Sequence, residues 1–256
     1  MITIYSRKEI DAIRRSCRVV GEALNYMGEL IRPGITTKEL DDELEWFIRD
    51  KGGRPAFKGI KGDAPIPFPA SGCFSIDEVV VHGIPSKRKL KDGEIIGVDV
   101  GVEIDGFYGD AARTFLVGDV SFEKRHLVET TEESFWKGVE LAEPGNMLSD
   151  ISHRIQKFAE GRGFSVVRAL VGHGVGRNLH EEPQVPNYGL PGNGPKLRSG
   201  MVLAIEPMIN TGVYDVNVLQ DGWTIITADN KPSAHYENTI VIFQEGPDIL
   251  TLVEPD

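Results

Sequence analysis

The chain nearly repeats itself. "LIRPGITTKELDDELEWFIRDKGG" at residues 30–53 aligns without a gap to "LAEPGNMLSDISHRIQKFAEGRGF" at 141–164, with Leu30/Leu141, Pro33/Pro144, Gly34/Gly145, Phe47/Phe158 and Gly52/Gly163 identical. Leu40/Ile151 and Leu44/Ile155 keep an apolar stripe at helical spacing. Each copy reads as the end of one helix, a Pro-Gly turn, and a second amphipathic helix stopped by glycine. Thr36 with Glu39 forms a capping-box pattern in the first copy. The likeness resumes between "KLKDGEIIGVDVG" (89–101) and "KLRSGMVLAIEPM" (196–208), in a register where Asp99 corresponds to Glu206. Such a chain is expected to fold as two pseudo-symmetric halves around a shared centre, and that centre is acidic.

"GVDVGVEIDGFYGDAART" (97–114) carries Asp99 and Asp110 on either side of Asp105-Gly106. Asp-Gly between alternating segments favours a two-residue type I′ turn, because both residues tolerate φ > 0. Paired strands over 94–104 and 107–117 follow. With Ile104 facing Phe107, Asp99 faces Ala112, so Asp99 and Asp110 become diagonal neighbours on one face, about 7–8 Å apart. Two exposed acids could sit this way. On a half-buried face they repel unless protonated or bridged by a cation.

Helix signals fall at 7–31, 37–51, 122–142 and 147–161, with strands elsewhere. The expected fold class is α+β: a single domain over 1–256, with halves at about 1–118 and 119–256. Two helix pairs cover one face of a curved, mainly antiparallel sheet and leave the other face for a site. The 256 residues, 40% hydrophobic, are enough for one large core. Cys17 and Cys73 are too few for a disulfide framework and suit a reducing compartment. The start, "MITIYSRKEIDAIRR", is charged and amphipathic rather than a signal peptide, and no apolar run approaches the roughly eighteen residues of a membrane span. A cytoplasmic protein with no membrane partner is expected. The net charge of −11 argues against a nucleic-acid surface. The basic run "SKRKLK" (86–91) reads as a solvated loop.

Three further residues carry chemistry. His173 lies in "VGHGVG", where glycines let backbone and ligand approach closely. Glu206 ends the apolar run "MVLAI", and Glu237 opens "ENTIVIF". Each has a structural reading of its own, and "GHGVG" also looks like a phosphate loop without the lysine. Together, one histidine and four carboxylates at strand ends are too costly to bury unpaired. Two divalent cations would neutralise them, and this donor set suits Mn²⁺, Fe²⁺, Co²⁺ or Zn²⁺. Carboxylates bridging ions about 3.5–4 Å apart would let the pair activate one water and polarise a carbonyl, which is hydrolytic chemistry. Upstream of the two matching strands stand His82 in "VVHGIP" and His180 in "NLHEEP".

Set in "GVDVG", "GDAART", "GHGVGRNLHEEP", "AIEPM" and "HYENTIVI", the series Asp99, Asp110, His173, Glu206 and Glu237 resembles that of the type I methionine aminopeptidases over nearly the whole chain. The resemblance implies the pita-bread fold and two divalent ions (Co, Mn, Fe, Zn or Ni). It implies removal of the amino-terminal methionine from peptides and nascent chains with a small second residue, through a hydroxide shared by the ions. Asp99 would chelate one ion, His173 the other with Glu206 nearby, and Asp110 and Glu237 would bridge. Glu206 would also shuttle the proton, His82 would contact the scissile amide, and His180 would hydrogen-bond the carbonyl oxygen. Phe68, Cys73, Leu179 and Trp223 would surround the methionine side chain, with Phe57 and Ile60 near the entrance. The sequence lacks the amino-terminal domain usual in prolidases and aminopeptidase P, and the insertion after the histidine ligand typical of type II enzymes. A proline-specific hydrolase and a catalytically silent binding module of the same fold are the alternatives, and a silent module is expected to have lost ligands.

The sequence departs from that family in four places. "FKGIKGDAPIPFPASGCFS" carries about four extra residues, and Ile60 stands where an aromatic is common. Asp77 stands where asparagine is expected beside a monovalent cation, so that cation is left unassigned. "NTGVYDVNVLQDGW" has no lysine where some members are basic, so a transient ribosome association is given no docking loop. A monomer is expected.

Overall fold

The structure is a computed structural model describing residues 1–62 and 64–253. Its helices are α1 (Arg7–Leu30), α2 (Thr37–Asp50), α3 (Phe122–Val139) and α4 (Leu148–Glu160). Reciprocal capping boxes, Ser6 with Glu9 and Thr36 with Glu39, open the first pair by satisfying otherwise orphaned N–H groups. In α4 the carboxylate of Asp150 accepts the Met147 N–H at 2.8 Å, keeping the half of the box that methionine can still make.

The strands, in chain order, are β1 (Arg54–Pro55), β2 (Gly72–Ile76), β3 (Val79–Val81), β4 (Glu94–Ile104), β5 (Phe107–Val117), β6 (Ser165–Val166), β7 (Gly172–Gly174) and β8 (Glu181–Val185). There follow β9 (Val202–Ile205), β10 (Met208–Asn210), β11 (Val216–Val218), β12 (Ile225–Thr227), β13 (Ser233–His235), β14 (Glu237–Phe243) and β15 (Gly246–Ile249). Nine form one antiparallel sheet in the order β1-β4-β5-β14-β9-β7-β8, with β2 beside β4 and β15 beside β14. Two three-stranded sheets, β13-β10-β6 and β11-β12-β3, complete the set. The path β2-β4-β5-β14-β9-β7 reads the same from either end: two outer strands, two flanking strands and a central pair. This is the curled antiparallel sheet of a pita-bread fold.

The repeat is visible in the backbone. Thr36 bridges Lys89 as Met147 bridges Lys196. Gly34 N–H donates to Leu90 O as Gly145 N–H donates to Leu197 O, and Leu90 and Leu197 return bonds to Ile35 O and Asn146 O. Both turns need φ > 0, at Gly34 (φ 94°) and Gly145 (φ 104°), which is why glycine recurs there. The basic run at 86–91 is therefore a clip: Leu90 is buried while residues 86–89 are exposed.

Each helix pair packs its own core. Leu24, Leu40 and Leu44 meet Ile96 and Val98 in the first half, and Phe135, Ile151 and Ile155 meet Leu203 and Ile240 in the second. A third cluster joins them, where Ile10, Ile13 and Cys17 of α1 pack on Val175, Val202 and Val241. The opposite face of the sheet is left to a cavity. Among the described residues no helix is long and apolar enough to cross a membrane.

The hairpin has the expected register, with Ile104 opposite Phe107 and Asp99 opposite Ala112. Its turn residues Asp105 (φ 53°) and Gly106 (φ 79°) are both left-handed, as type I′ requires. Gly109 sets the approach of α1: a Cβ there would lie 2.6 Å from Cys17 N and 2.8 Å from its Sγ. Gly109→Ala should therefore push α1 off β5 beside Asp110, costing about 1–3 kcal/mol as overpacking does. At about 2–4 °C per kcal/mol for a chain this size, calorimetry should register a drop of several degrees in Tm. An unchanged Tm would mean that the contact gives way freely.

Candidate metal centre

Strand register alone gathers the acids. Cys73 of β2 faces Asp99 of β4, Asp99 faces Ala112 of β5, and Ala112 faces Glu237 of β14. Opposed residues share a face, so Asp99 and Glu237 lie in one row. Asp110, one pleat repeat from Ala112, stands beside Thr239: its N–H donates to Thr239 Oγ1 (3.1 Å), and that hydroxyl donates to Asp110 O (2.8 Å). Thr239 faces Ala204 of β9, which faces His173 of β7. Asp110 and His173 thus occupy the next row on the same face, and Glu206, two residues past Ala204, closes the ring.

The arrangement has a local two-fold. Glu237 stands opposite the residue two beyond Asp110, and Asp110 stands beside the residue two beyond Glu237, while Asp99 and Glu206 flank them from the outer strands. His173 breaks the symmetry. It pairs with Ala204 as Ser75 pairs with Gly97, so its counterpart is a serine. One expectation is corrected: Asp99 and Asp110 sit in the middle of eleven-residue strands, and only Glu206 and Glu237 lie at strand ends. Alternation across the pleat, rather than strand termination, aims the first two into the cavity.

Burial dominates the electrostatics. Asp110 is 3% and Glu237 2% exposed. Burial lifts Asp99 to about 7. It lifts Asp110, Glu206 and Glu237 well above the carboxylate range, and the neighbouring acids add to it. The nearest cation does not relieve them: Arg113 spends its donors on the carbonyls of Ala112 and Glu237 and on Asn238 Oδ1. Asp99 Oδ1, Asp110 Oδ1, Glu237 Oε1 and His235 Nε2 are buried without any hydrogen-bond partner. Three lone acceptors and a ring nitrogen buried on one cavity wall are what divalent cations satisfy.

The histidine is prepared for this. His173 Nδ1 lies 2.9 Å from the Gly174 carbonyl, which can only accept, so the ring proton is on Nδ1 and the Nε2 lone pair is free. Burial, with His180 second, lowers the His173 pKa to about 4, keeping the ring neutral. Nε2 lies 3.5 Å from Glu206 Oε1 and 3.8 Å from Asp110 Oδ2. Two donors each about 2.1 Å from one ion can be at most about 4.2 Å apart, so both spacings fit. Donor atoms of His173, Glu206 and Glu237 lie within 4.8 Å of one another, and those of Asp99, His235 and Glu237 form a second such group.

Beside this centre one cavity of about 570 Å³ is lined by Phe57, Ile60, Phe68, Cys73 and Trp223, and by His82 and His180. Phe68 and Trp223 meet edge to face at 5.3 Å. His82 is held at φ 58° with its ring 6.4 Å from Trp223, and burial, followed by His180, lowers its pKa to about 4. His180 is exposed at the mouth, its ring 4.4 Å from that of His173 and nearly perpendicular to it. Its loop is pinned by Glu181, whose carboxylate accepts from the Tyr5 hydroxyl (2.9 Å) and the Asn178 N–H (2.9 Å). Leu179 packs in the apolar cluster with Phe57, Phe68 and Cys73.

Comparison with known proteins places this geometry. Residues 11–244 match Metallopeptidase family M24. The chain belongs to that family. The methionine aminopeptidase of Clostridium perfringens is 54% identical over 254 residues, covering 99% of this chain and all of that protein (100%). Methionine aminopeptidase 1 of Bacillus subtilis is 49% identical over 253 residues, covering 99% and 100%. The crystal structure of the methionine aminopeptidase from Rickettsia prowazekii superposes with a TM-score of 0.95 at 41% identity, over 98% of this chain and 100% of that one. Within the M24 metallopeptidases the chain is thus of the type I methionine aminopeptidase kind, a hydrolase whose family implies a divalent metal.

Two departures from that M24 pattern find physical partners. Asp63, in the lengthened segment, lies outside the described residues, while Ile66 O accepts the Trp223 indole N–H at 2.8 Å, so the segment braces the pocket wall. The carboxylate of Asp77 receives the Lys124 ammonium at 2.6 Å, and Gly93 O takes a second bond from it at 2.8 Å. The charge that separates Asp77 from asparagine is matched within the chain. What the sequence reading missed is His235, together with the far wall of Leu170, Gln184 and Met208. The sequence carried only a partial signal for His235: it stands two residues before Glu237, a spacing that puts both on one face only where the strand is continuous, and β13 ends at His235.

Proposed function

We propose that this chain removes the amino-terminal methionine of peptides and nascent proteins, favours a small second residue, and uses two divalent ions held by Asp99, Asp110, His173, Glu206 and Glu237. The observation that carries the proposal is a single continuous cavity in which the apolar wall of Phe68, Cys73 and Trp223 adjoins the carboxylates. Its volume of about 570 Å³ suits a small ligand. Burial keeps Cys73 a thiol, so that wall is uncharged. An unbranched thioether fits such a wall, and sulfur–aromatic contacts add about 0.3–1.5 kcal/mol.

When bound, the ions supply a water activated for attack and polarise the scissile carbonyl. The chain's own groups do the rest. Glu206, beside His173 Nε2 at 3.5 Å and lining the cavity where the attacking water would stand, is placed to pass a proton from that water to the leaving amine. His82 and His180 have lowered pKa values and are neutral near pH 7, so each keeps one N–H to donate. We assign His180 to the carbonyl oxygen as charge develops there, and His82 to the scissile amide. The carboxylate-rich end of the cavity takes the free α-amine. We take residues 1–256 as one catalytic unit, acting as a monomer in the cytoplasm, where the two free cysteines would stay reduced.

Met-Ala-Ser and Ala-Pro-Ser, assayed with Mn²⁺, Fe²⁺ and Co²⁺ in turn, test the reading. Methionine should be released from the first peptide, slowly if the second residue is bulky and not at all if the amine is formylated. Preference for Ala-Pro-Ser under every metal would overturn it, because a proline-directed site spends its binding energy on the imide ring.

A further inference from the structure

We propose that His235 is a sixth protein donor of the metal centre, an imidazole on the Asp99 side that complements His173 on the Glu206 side. The inference rests on the metal reading above and adds a ligand to it. His235 is 4% exposed, and its Nε2 is sealed from solvent with no hydrogen-bond partner. Glu206 Oε2 and Glu237 Oε2 both lie 3.8 Å from that nitrogen, too far for a hydrogen bond. Both spacings fall inside the roughly 4.2 Å that two donors on one ion can span. Its nitrogen also lies within 4.8 Å of donor oxygens of Asp99 and Glu237.

Of the three donor groups, two share Glu237, one adding His173 and Glu206 and the other His235 and Asp99, and the third gathers Asp110, His173 and His180. The two-fold of the sheet offers only Ser75 where a counterpart of His173 would stand. His235 fills that need from a different strand, β13, whose pairing sets it opposite Met208 at the cavity wall. One imidazole on each side makes both halves of the centre mixed nitrogen–oxygen sites, favouring Fe²⁺, Co²⁺ or Zn²⁺ over an oxygen-preferring ion such as Mg²⁺.

The test uses the full chain, stripped of metal and titrated with Co²⁺. Calorimetry should give two binding events, and proton NMR of the Co²⁺-loaded protein should show two strongly shifted imidazole N–H resonances, one for each coordinated ring. His235→Gln, which keeps the size and polarity of the side chain, should abolish one resonance, alter the visible Co²⁺ bands and weaken one binding event at least about 100-fold. His235→Leu should do the same. Wild-type affinities, bands and both resonances in His235→Gln would overturn the inference. His173→Ala separates this from the reading beneath it: if that variant also binds Co²⁺ as the wild type does, the metal centre itself is misassigned. If only the His235 variants are unaffected, the sixth donor alone is wrong.

Discussion

Asp110→Asn should leave the fold standing and abolish turnover. The substitution preserves shape, and the backbone N–H and C=O of residue 110 keep their bonds to Thr239, so β5 and β14 stay joined. What disappears is the charge at the middle of the acidic ring. An amide oxygen is a weak bridge between two cations, so at least one ion should be lost. Activity should fall by at least the 10²–10³-fold, roughly, that removal of one transition-state contact costs. Near-normal activity with the usual metal content would show that Asp110 does not bridge. In the metal-free protein the same change should stabilise. Burial holds Asp99 at about 7 and Asp110, Glu206 and Glu237 higher than ordinary carboxylates, whereas in the unfolded chain such groups titrate near about 4. The folded, metal-free state therefore binds more protons than the unfolded state above that pH, and stability falls as pH rises from about 4 through 7. Calorimetry on metal-free protein should find Tm falling over that window, less steeply in Asp110→Asn, and recovering when Mn²⁺ saturates the wild type. A metal-free Tm that rises with pH would mean the carboxylates are not buried together.

Much of this architecture could be read from the residues because it rests on local rules. Asp105-Gly106 demands a left-handed pair, and an eleven-residue hairpin register follows from where that pair sits. Thr36 and Glu39 cap α2 through atoms three residues apart, so no tertiary information is needed. The repeat supplied the long-range part, because equating Asp99 with Glu206 already implied two pseudo-symmetric halves around a shared acidic centre. What the repeat could not supply was the asymmetry. His173 and Ser75 occupy related positions, and no spacing rule says which half of a duplicated sheet keeps the imidazole. The expectation of strand ends failed for Asp99 and Asp110 for a related reason. Both lie within long strands whose apolar neighbours read as core, and only the pairing through β14 shows that their face looks into a cavity.

His235 went unassigned because it precedes a break between β13 and β14, where alternation no longer certifies a shared face. Leu179, assigned to the methionine pocket through the family resemblance, packs in the same apolar cluster as Phe57, Phe68 and Cys73. The bracing of Trp223 by Ile66 depends on a segment with no periodicity at all, so only coordinates could reveal it.

Besides His235, the three histidines of the cavity should separate by what they touch. His173→Ala removes a nitrogen whose partner Gly174 O has already fixed the tautomer for metal binding, so metal affinity should fall first and activity with it. His82 sits at φ 58°, a strain that alanine shares, so His82→Ala changes the side chain without relaxing the backbone. It should lower kcat by about 10²–10⁴-fold while two ions remain bound. His180 is the sharper case. Its ring stands edge-on against His173 at 4.4 Å, and its nitrogen falls within 4.8 Å of donors from Asp110 and His173, so coordination is a real competitor to its assigned role. Exposure decides between them: a ring open to solvent at the mouth is placed to meet an incoming carbonyl, whereas the half-buried His173 holds its Nε2 3.5 Å from Glu206 and 3.8 Å from Asp110. His180→Ala should therefore keep its metals, bind methionine-bearing peptides, and lose about 10²–10³-fold in kcat, as when an oxyanion contact is removed. Equilibrium dialysis against Co²⁺ alongside single-turnover kinetics makes the distinction. If His180→Ala emptied the site while His173→Ala retained two ions, the ligand and the oxyanion donor would have to be exchanged.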